Sequence, residues 1–258
     1  MALPRMRALA AVLALLLARH ALAQGATVDT PRGAKVAVFA DLPAGRGPFA
    51  AVVLGPGAEY PMHAPVLEAT TKELVARGIA VYRFDWAYYT ADPKAGRASP
   101  GLKNEVEDMT SVVAYARRDA RVAGDRLFAA GKSLGSLVAW RVLEADTTLR
   151  GGLLLTPVCS RTRDGIITAV ADQNYPGIAS ERRPLAFIAG EQDPLCASPV
   201  LYGFAARAGG PARVAVVGGN HTFEEPSLPA DARLTALQRN VDLAGRFAAD
   251  FVARNARP

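Results

Sequence analysis

The chain has 258 residues, half of them hydrophobic, and 30 Lys and Arg against 24 Asp and Glu give a formal net charge of +6. That length and apolar content suit one large core or two small ones and exclude a disordered, coiled-coil or repeat protein. The basic balance suggests nucleic acid, but Arg117, Arg118, Arg121 and Arg126 have no interleaved aromatic residues; they read as the solvated end of a helix, and no nucleic-acid partner is expected.

The first segment reads differently from the rest. Arg5 and Arg7 precede an apolar run over 8–18, and Ala21-Leu22-Ala23 offers a small-x-small cleavage site before Gln24. This is the layout of a secretory signal peptide, assigned to residues 1–23. The run falls short of the ~20 residues that span a bilayer, so no stable membrane anchor is expected. No cysteine follows it to accept a lipid and no paired arginines precede it, which favours the general export route. The expectation is a periplasmic or secreted protein, cleaved near Ala23 into a single domain over 24–258. Losing Arg5, Arg7 and Arg19 leaves 27 basic residues against 24 acidic, or +3. In an exported chain the two cysteines, Cys159 and Cys196, are a disulfide candidate; two buried thiols are the alternative.

Taken in order, residues 35–41 alternate as a strand and 42–48 are turn-rich. Residues 49–54 form a continuous apolar run, as expected of a strand buried on both faces of a parallel sheet. A loop over 55–64 leads to a helix over 65–77, ended by Gly78, and a strand over 79–84. A polar and aromatic loop covers 85–102, after which Asn104 is expected to cap a helix reaching Arg118. Residues 127–130 read as a buried strand. Leu134, Leu137, Val138, Arg141 and Val142 then carry helical spacing toward Ala145. Strands over 152–156, 184–189 and 213–217 alternate with helices over 199–208 and 231–254. This alternation predicts an α/β fold: a doubly wound, mainly parallel sheet with helices on both faces. Only 158–183 is available for a lid, too little for a large cap domain.

Between the 127–130 strand and its helix lies Gly131-x-Ser133-x-Gly135, the nucleophile-elbow pattern. A serine at so sharp a turn sits in strained backbone, and its neighbours two positions away must be nearly free of side chain. The turn also places Ser133 at a helix N-terminus, which favours developing negative charge. A phosphate-binding loop would need glycine at position 126, where Arg126 stands. A capping serine is the bland alternative.

Functional groups of an open α/β sheet gather beyond the carboxyl ends of its strands. Ser133, Asp193 and His221 each follow a predicted strand, in the chain order nucleophile, acid, histidine. Of the other histidines, His20 belongs to the leader and His63 to the 55–64 loop, so His221 is the natural general base. Glu191 competes with Asp193 for the acid. No His/Cys/Asp/Glu cluster has metal-ligand spacing and no dinucleotide glycine fingerprint follows an early strand, so neither metal nor cofactor is expected. Cys159 follows the 152–156 strand and Cys196 the 184–189 strand. If those strands are neighbours, a bridge would tie down the loop carrying Asp193.

With these residues the chain resembles the α/β-hydrolase superfamily, and within it the small dienelactone-hydrolase-like branch without a large cap. The resemblance rests on 52–58, 82–88, Gly131-Lys132-Ser133-Leu134-Gly135, Gly190-Glu191-Gln192-Asp193-Pro194 and Gly219-Asn220-His221-Thr222-Phe223, and covers about 35–254. It implies a serine hydrolase acting on a small-molecule ester, thioester or amide, with the Leu134 N–H as one oxyanion donor; export is expected from the leader. One departure stands out. Leu54 replaces the histidine that relatives carry after the third strand, and Pro56, which has no N–H, occupies the position of the second donor. The replacement donor is expected from Gly57 or Ala58, with Gly57 preferred because a residue without a side chain lets the backbone approach a substrate closely. The altered loop also admits a catalytically weak binding or scaffold protein on the same fold, and sequence does not separate esterase from peptidase. Tyr60, Trp86, Tyr88 and Tyr89 are candidate pocket-lining residues.

Overall fold

A computed structural model describes residues 22–257. The signal peptide expected over 1–23 falls, through residue 21, outside the described residues. Among the described residues there are ten strands: β1 (Leu22–Asp29), β2 (Lys35–Leu42), β3 (Phe49–Gly55), β4 (Ile79–Asp85), β5 (Val122–Lys132), β6 (Gly151–Leu155), β7 (Ser160–Arg163), β8 (Ile166–Ala169), β9 (Leu185–Gly190) and β10 (Ala212–Val217). The helices are α1 (Pro65–Ala76), α2 (Ala87–Ala91), α3 (Lys103–Arg118), α4 (Leu134–Ala145), α5 (Ala171–Asn174), α6 (Ser198–Ala206) and α7 (Ala230–Asn255).

Eight strands form one sheet in the order β1-β2-β4-β3-β5-β6-β9-β10. Only β2 runs against its neighbours; from β4 to β10 every pairing is parallel. The expected doubly wound sheet is therefore present. Period-two alternation of an apolar strand explains its double burial. Along β3, Ala51 and Val53 join the core beneath α3, α4 and α6, while Val52 and Leu54 join the core beneath α1 and α7.

Three local readings need correction. Strand β1 was not anticipated. It pairs with β2 along its whole length, from Leu22 opposite Leu42 to Asp29 opposite Lys35, and cleavage after Ala23 would leave most of it in place. The 85–102 loop holds α2 and a 3₁₀ turn at Pro100–Leu102. Helix α3 begins one residue before Asn104, and its first turn is held by Ser99: the Ser99 hydroxyl accepts from the Asn104 N–H at 3.0 Å and donates to Glu105 at 2.7 Å. The stretch available for a lid contains only the β7–β8 hairpin, α5 and a short 3₁₀ turn. Among the described residues no helix is long and apolar enough to cross a membrane.

Candidate active site

Strand β5 ends at Lys132 and α4 begins at Leu134, so a single residue, Ser133, makes the turn. It takes φ 56° and ψ −118°, a conformation costly for any residue with a side chain. The flanking glycines make the turn feasible. A Cβ on Gly131 would stand 2.1 Å from the Gly135 carbonyl oxygen, and one on Gly135 would stand 2.5 Å from the carbonyl oxygens of Gly55 and Pro56. The Ser133 N–H donates to Leu155 on β6 at 2.9 Å. The Ser136 hydroxyl donates to the Ser133 carbonyl at 2.6 Å and shares a hydrogen bond of 2.8 Å with the Tyr175 phenol. That phenol also accepts from the Val158 N–H at 2.8 Å, so the segment after β6 is tied to the elbow. Tyr175 is fully buried, and burial pushes its phenol up, keeping it protonated as a donor.

Ser133 Oγ lies 2.8 Å from His221 Nε2, and His221 Nδ1 lies 2.9 and 2.8 Å from the two carboxylate oxygens of Asp193. The Asp193 side chain is wholly buried and accepts from the Leu195 N–H at 2.8 Å. His221 keeps 17% of its side chain exposed, so the serine–histidine pair faces solvent while the acid does not. Glu191, the competing acid, is exposed on the loop. His63 is bonded instead to Glu68 at 2.7 Å and packs edge-on against Phe39.

The loops bearing Asp193 and His221 are held together by backbone. Gly190 lets them approach, since a Cβ there would stand 2.3 Å from the Asn220 carbonyl oxygen. The Gln192 N–H donates to Gly219 at 2.9 Å, and Asn220 Oδ1 gathers the N–H groups of Thr222 and Glu224. Cys159 and Cys196 form a disulfide with a Cα–Cα distance of 4.7 Å, joining the segments that follow the neighbouring strands β6 and β9. Beside it, the N–H groups of Cys159 and Ser160 both donate to the Leu195 carbonyl at 2.9 Å, and the Ala197 N–H donates to Ser160 Oγ at 2.9 Å.

The 56–64 loop closes the other side. Gly57 is buried against the elbow, and a Cβ on it would stand 3.7 Å from Ser133 Cβ. Trp86 donates its indole N–H to the Gly57 carbonyl at 3.1 Å, and the Tyr88 hydroxyl donates to the Ala58 carbonyl. Trp86 is fully buried and offers no surface to a substrate, whereas Tyr60 and Tyr88 are partly exposed. The far end of the loop is fixed to β4, where Asp85 accepts from the Met62 N–H at 2.7 Å and Arg83 donates to the Met62 carbonyl at 3.1 Å. Arg83 is itself neutralised by Asp41 and Glu68.

Sequence reasoning gave no role to Lys132, Ser136 or Tyr175. Lys132 is only 3% exposed, and its ammonium stands 4.5 Å from the centre of the Tyr60 ring. Burial lowers its pKa to about 8, against the opposing pull of Asp193 and Glu224. Tyr60 is pushed up to about 12, by burial first and by Glu224 second. A cavity of about 600 Å³ lies at the opposite end of the sheet, lined by Arg150, Arg182, Arg183, Arg254 and Asp125 among others. Three of its guanidiniums are committed to the carbonyls of Asn255, Gly209 and Leu143, and it touches none of the residues above.

A strand–serine–helix elbow on a sheet of this order defines an α/β-hydrolase-type protein. The family model described as an alpha/beta hydrolase domain matches residues 48–249, and the chain belongs to that family. Solved structures of low sequence identity share its fold. The dienelactone hydrolase from Anabaena variabilis superposes with a TM-score of 0.69 at 14% identity, covering 92% of this chain and 99% of that one. Est1E from Butyrivibrio proteoclasticus with ferulic acid bound gives 0.69 at 15% identity, covering 89% and 98%. The esterase domain of a Rhodothermus marinus protein gives 0.65 at 15% identity, covering 92% and 100%. No curated protein matches the chain by sequence.

Proposed function

We propose that the chain is an exported serine hydrolase that cleaves a small-molecule ester, thioester or amide through an acyl-enzyme. The observation that carries this reading is the continuous hydrogen-bond path Ser133–His221–Asp193, with the serine end open to solvent and the acid end buried. Such a path is how a general base activates a hydroxyl that is otherwise a weak nucleophile.

In the first half-reaction Ser133 Oγ attacks the substrate carbonyl carbon, and its proton passes to His221 Nε2. Asp193 holds the imidazole by Nδ1 and balances its positive charge. The tetrahedral oxyanion is met by the N–H of Leu134, whose helix dipole points at it. Gly57 provides the second N–H in place of Pro56. Neither N–H is spent on a protein acceptor among the described residues. Collapse breaks the bond to the leaving group, which takes the proton from His221. Water, deprotonated by the same imidazole, then hydrolyses the ester on Ser133 and returns the serine.

Export is part of the same proposal. It rests on the leader read over 1–23 and on the Cys159–Cys196 bridge, a bond that persists in oxidising compartments. The mature protein is the single domain 24–258. The test is labelling by a fluorophosphonate: modification of wild type at Ser133, found by peptide mass spectrometry, and none in Ser133→Ala. Hydrolysis of p-nitrophenyl esters of graded chain length then ranks substrates. A pure, folded wild-type protein that neither labels nor turns over any of them would end the reading.

A further inference from the structure

Lys132 is a buried titratable group beside the elbow that the mechanism above leaves unused. It precedes Ser133 directly, yet its side chain turns away from α4 to the sheet face covered by α1 and α7. There its Cδ stands 3.5 Å from where a Gly57 Cβ would be, and its ammonium lies over the Tyr60 ring. The 57–60 turn thus has three side-chain holds: Trp86 on the Gly57 carbonyl, Tyr88 on the Ala58 carbonyl and Lys132 on Tyr60. The first two come from the segment after β4. Only the third comes from the nucleophile's own strand.

We infer that Lys132, as a cation, is a positioning residue that fixes the Gly57–Tyr60 turn against Ser133 and so holds the Gly57 N–H in register with the nucleophile. The inference rests on the serine-hydrolase reading and explains how a donor displaced one residue beyond Pro56 is kept in place. A desolvated ammonium over a tyrosine face is a stronger contact than the same pair in water. The groups facing it are the phenol of Tyr60 from the 56–64 loop, the carboxylate of Asp193 from the loop after β9, with His221 beyond it, and Glu224 from the loop after β10.

The charge state gives the inference its signature. The Lys132 pKa is lowered to about 8, so the cation is present below that pH and is lost as pH rises through it. Tyr60, at about 12, keeps its proton throughout that window. Global stability moves the other way. An unfolded chain, with an ordinary lysine, binds more protons in this range, so this group's contribution to stability rises with pH while the turn loosens. An alkaline loss of activity by this route is therefore not an unfolding event.

The experiment compares wild type, Lys132→Met and Lys132→Arg in three measurements. These are p-nitrophenyl acetate turnover from about pH 6 to about pH 9.5, Tm, and amide hydrogen exchange of peptides covering 56–64. In that loop the N–H groups of Met62 and Ala64 are bonded and report protection. Lys132→Met is expected to lower kcat about tenfold with KM within about twofold, the scale of one desolvated cation–ring contact. It should also remove the alkaline limb near pH 8, speed exchange in 56–64 alone, and leave Tm unchanged or higher. Lys132→Arg should restore kcat and protection. Wild-type kcat, pH profile and exchange in Lys132→Met would overturn the inference. So would a lowered Tm with faster exchange throughout, which marks a merely structural lysine. If wild type neither turns over nor labels with fluorophosphonate, the hydrolase reading fails separately. The exchange arm still decides, because unchanged 56–64 protection in Lys132→Met refutes the hold on the turn.

Discussion

Removing the Cys159–Cys196 bridge should unfold the protein earlier without disarming it. The cysteines are 37 positions apart, so the bond closes a loop of that size in the unfolded chain. Freeing that loop restores entropy worth about 4 kcal/mol at room temperature, a large part of a typical domain's net stability. The test variant is the double substitution Cys159→Ala and Cys196→Ala. Alanine is chosen because both side chains are fully buried, where a serine hydroxyl would lack solvent. Two lost sulfurs add about 1 kcal/mol of packing. With a urea slope of about 3 kcal/mol per molar, the midpoint should fall by about 1.5 M. Activity in buffer should stay within about threefold, since the Leu195, Ser160 and Ala197 hydrogen bonds still brace the Asp193 loop and each contributes about 1 kcal/mol. Urea titration followed by tryptophan fluorescence, alongside ester turnover at zero urea, reads both quantities. A midpoint shift below about 0.3 M would refute the loop-entropy argument. A folded variant with little activity would show instead that the bridge itself positions Asp193.

The catalytic substitutions should rank by role. Ser133→Ala and His221→Ala each lower kcat by about 10⁶-fold, because serine and histidine act as a unit. Asp193→Asn costs about 10⁴-fold, because the amide holds His221 in the wrong tautomer; steady-state kinetics that put Asp193→Asn level with wild type would remove Asp193 from the mechanism. For the oxyanion, Pro56→Ala should be nearly neutral, while Gly57→Pro, checked for folding by circular dichroism, should lower kcat by about 10²–10³-fold. In a phosphonate adduct of Ser133 the oxygen should accept from the N–H groups of Leu134 and Gly57; contact with Leu134 alone would leave the hole half-formed and favour a weakly active binding protein.

What the sequence revealed follows from how local each signal is. Gly131 and Gly135 were legible because the elbow demands close backbone approach within five residues. Asp193 and His221 were legible because parallel strands deliver their following loops to one edge. The parallel sheet itself was visible in runs such as 49–54, buried on both faces. Strand β1 was hidden because it pairs only on one side, and Gly25 and the adjoining leader blur its alternation. The β7–β8 hairpin escaped for a related reason: every residue of β8 is exposed, so no apolar period marks it. Asn104 has the side chain of a cap, whereas the structure uses Ser99, five residues earlier. The Ser136–Tyr175 bond joins residues 39 apart, and no spacing rule reports such a contact. Lys132 and Tyr60 lie far apart in the chain, and no spacing rule reports their contact either.

The β7–β8 hairpin has a consequence for how such a protein could change its substrates. Its base is clamped by the disulfide and by the Val170 N–H on the Cys159 carbonyl, while its tip exposes Ile166 and Ile167 and supports no core. A graft that alters the length or sequence of residues 161–168 would therefore be absorbed locally, leaving β6, β9 and the loops that carry Asp193 and His221 in register. Evolution and the engineer have the same freedom here: the hairpin is a cassette whose sockets are fixed, placed where the chain leaves the carboxyl edge of the sheet. Libraries confined to it should retain folding at far higher frequency than libraries in the 56–64 loop, where Gly57, Ala58, Tyr60 and Met62 are held by Trp86, Tyr88, Lys132 and Asp85.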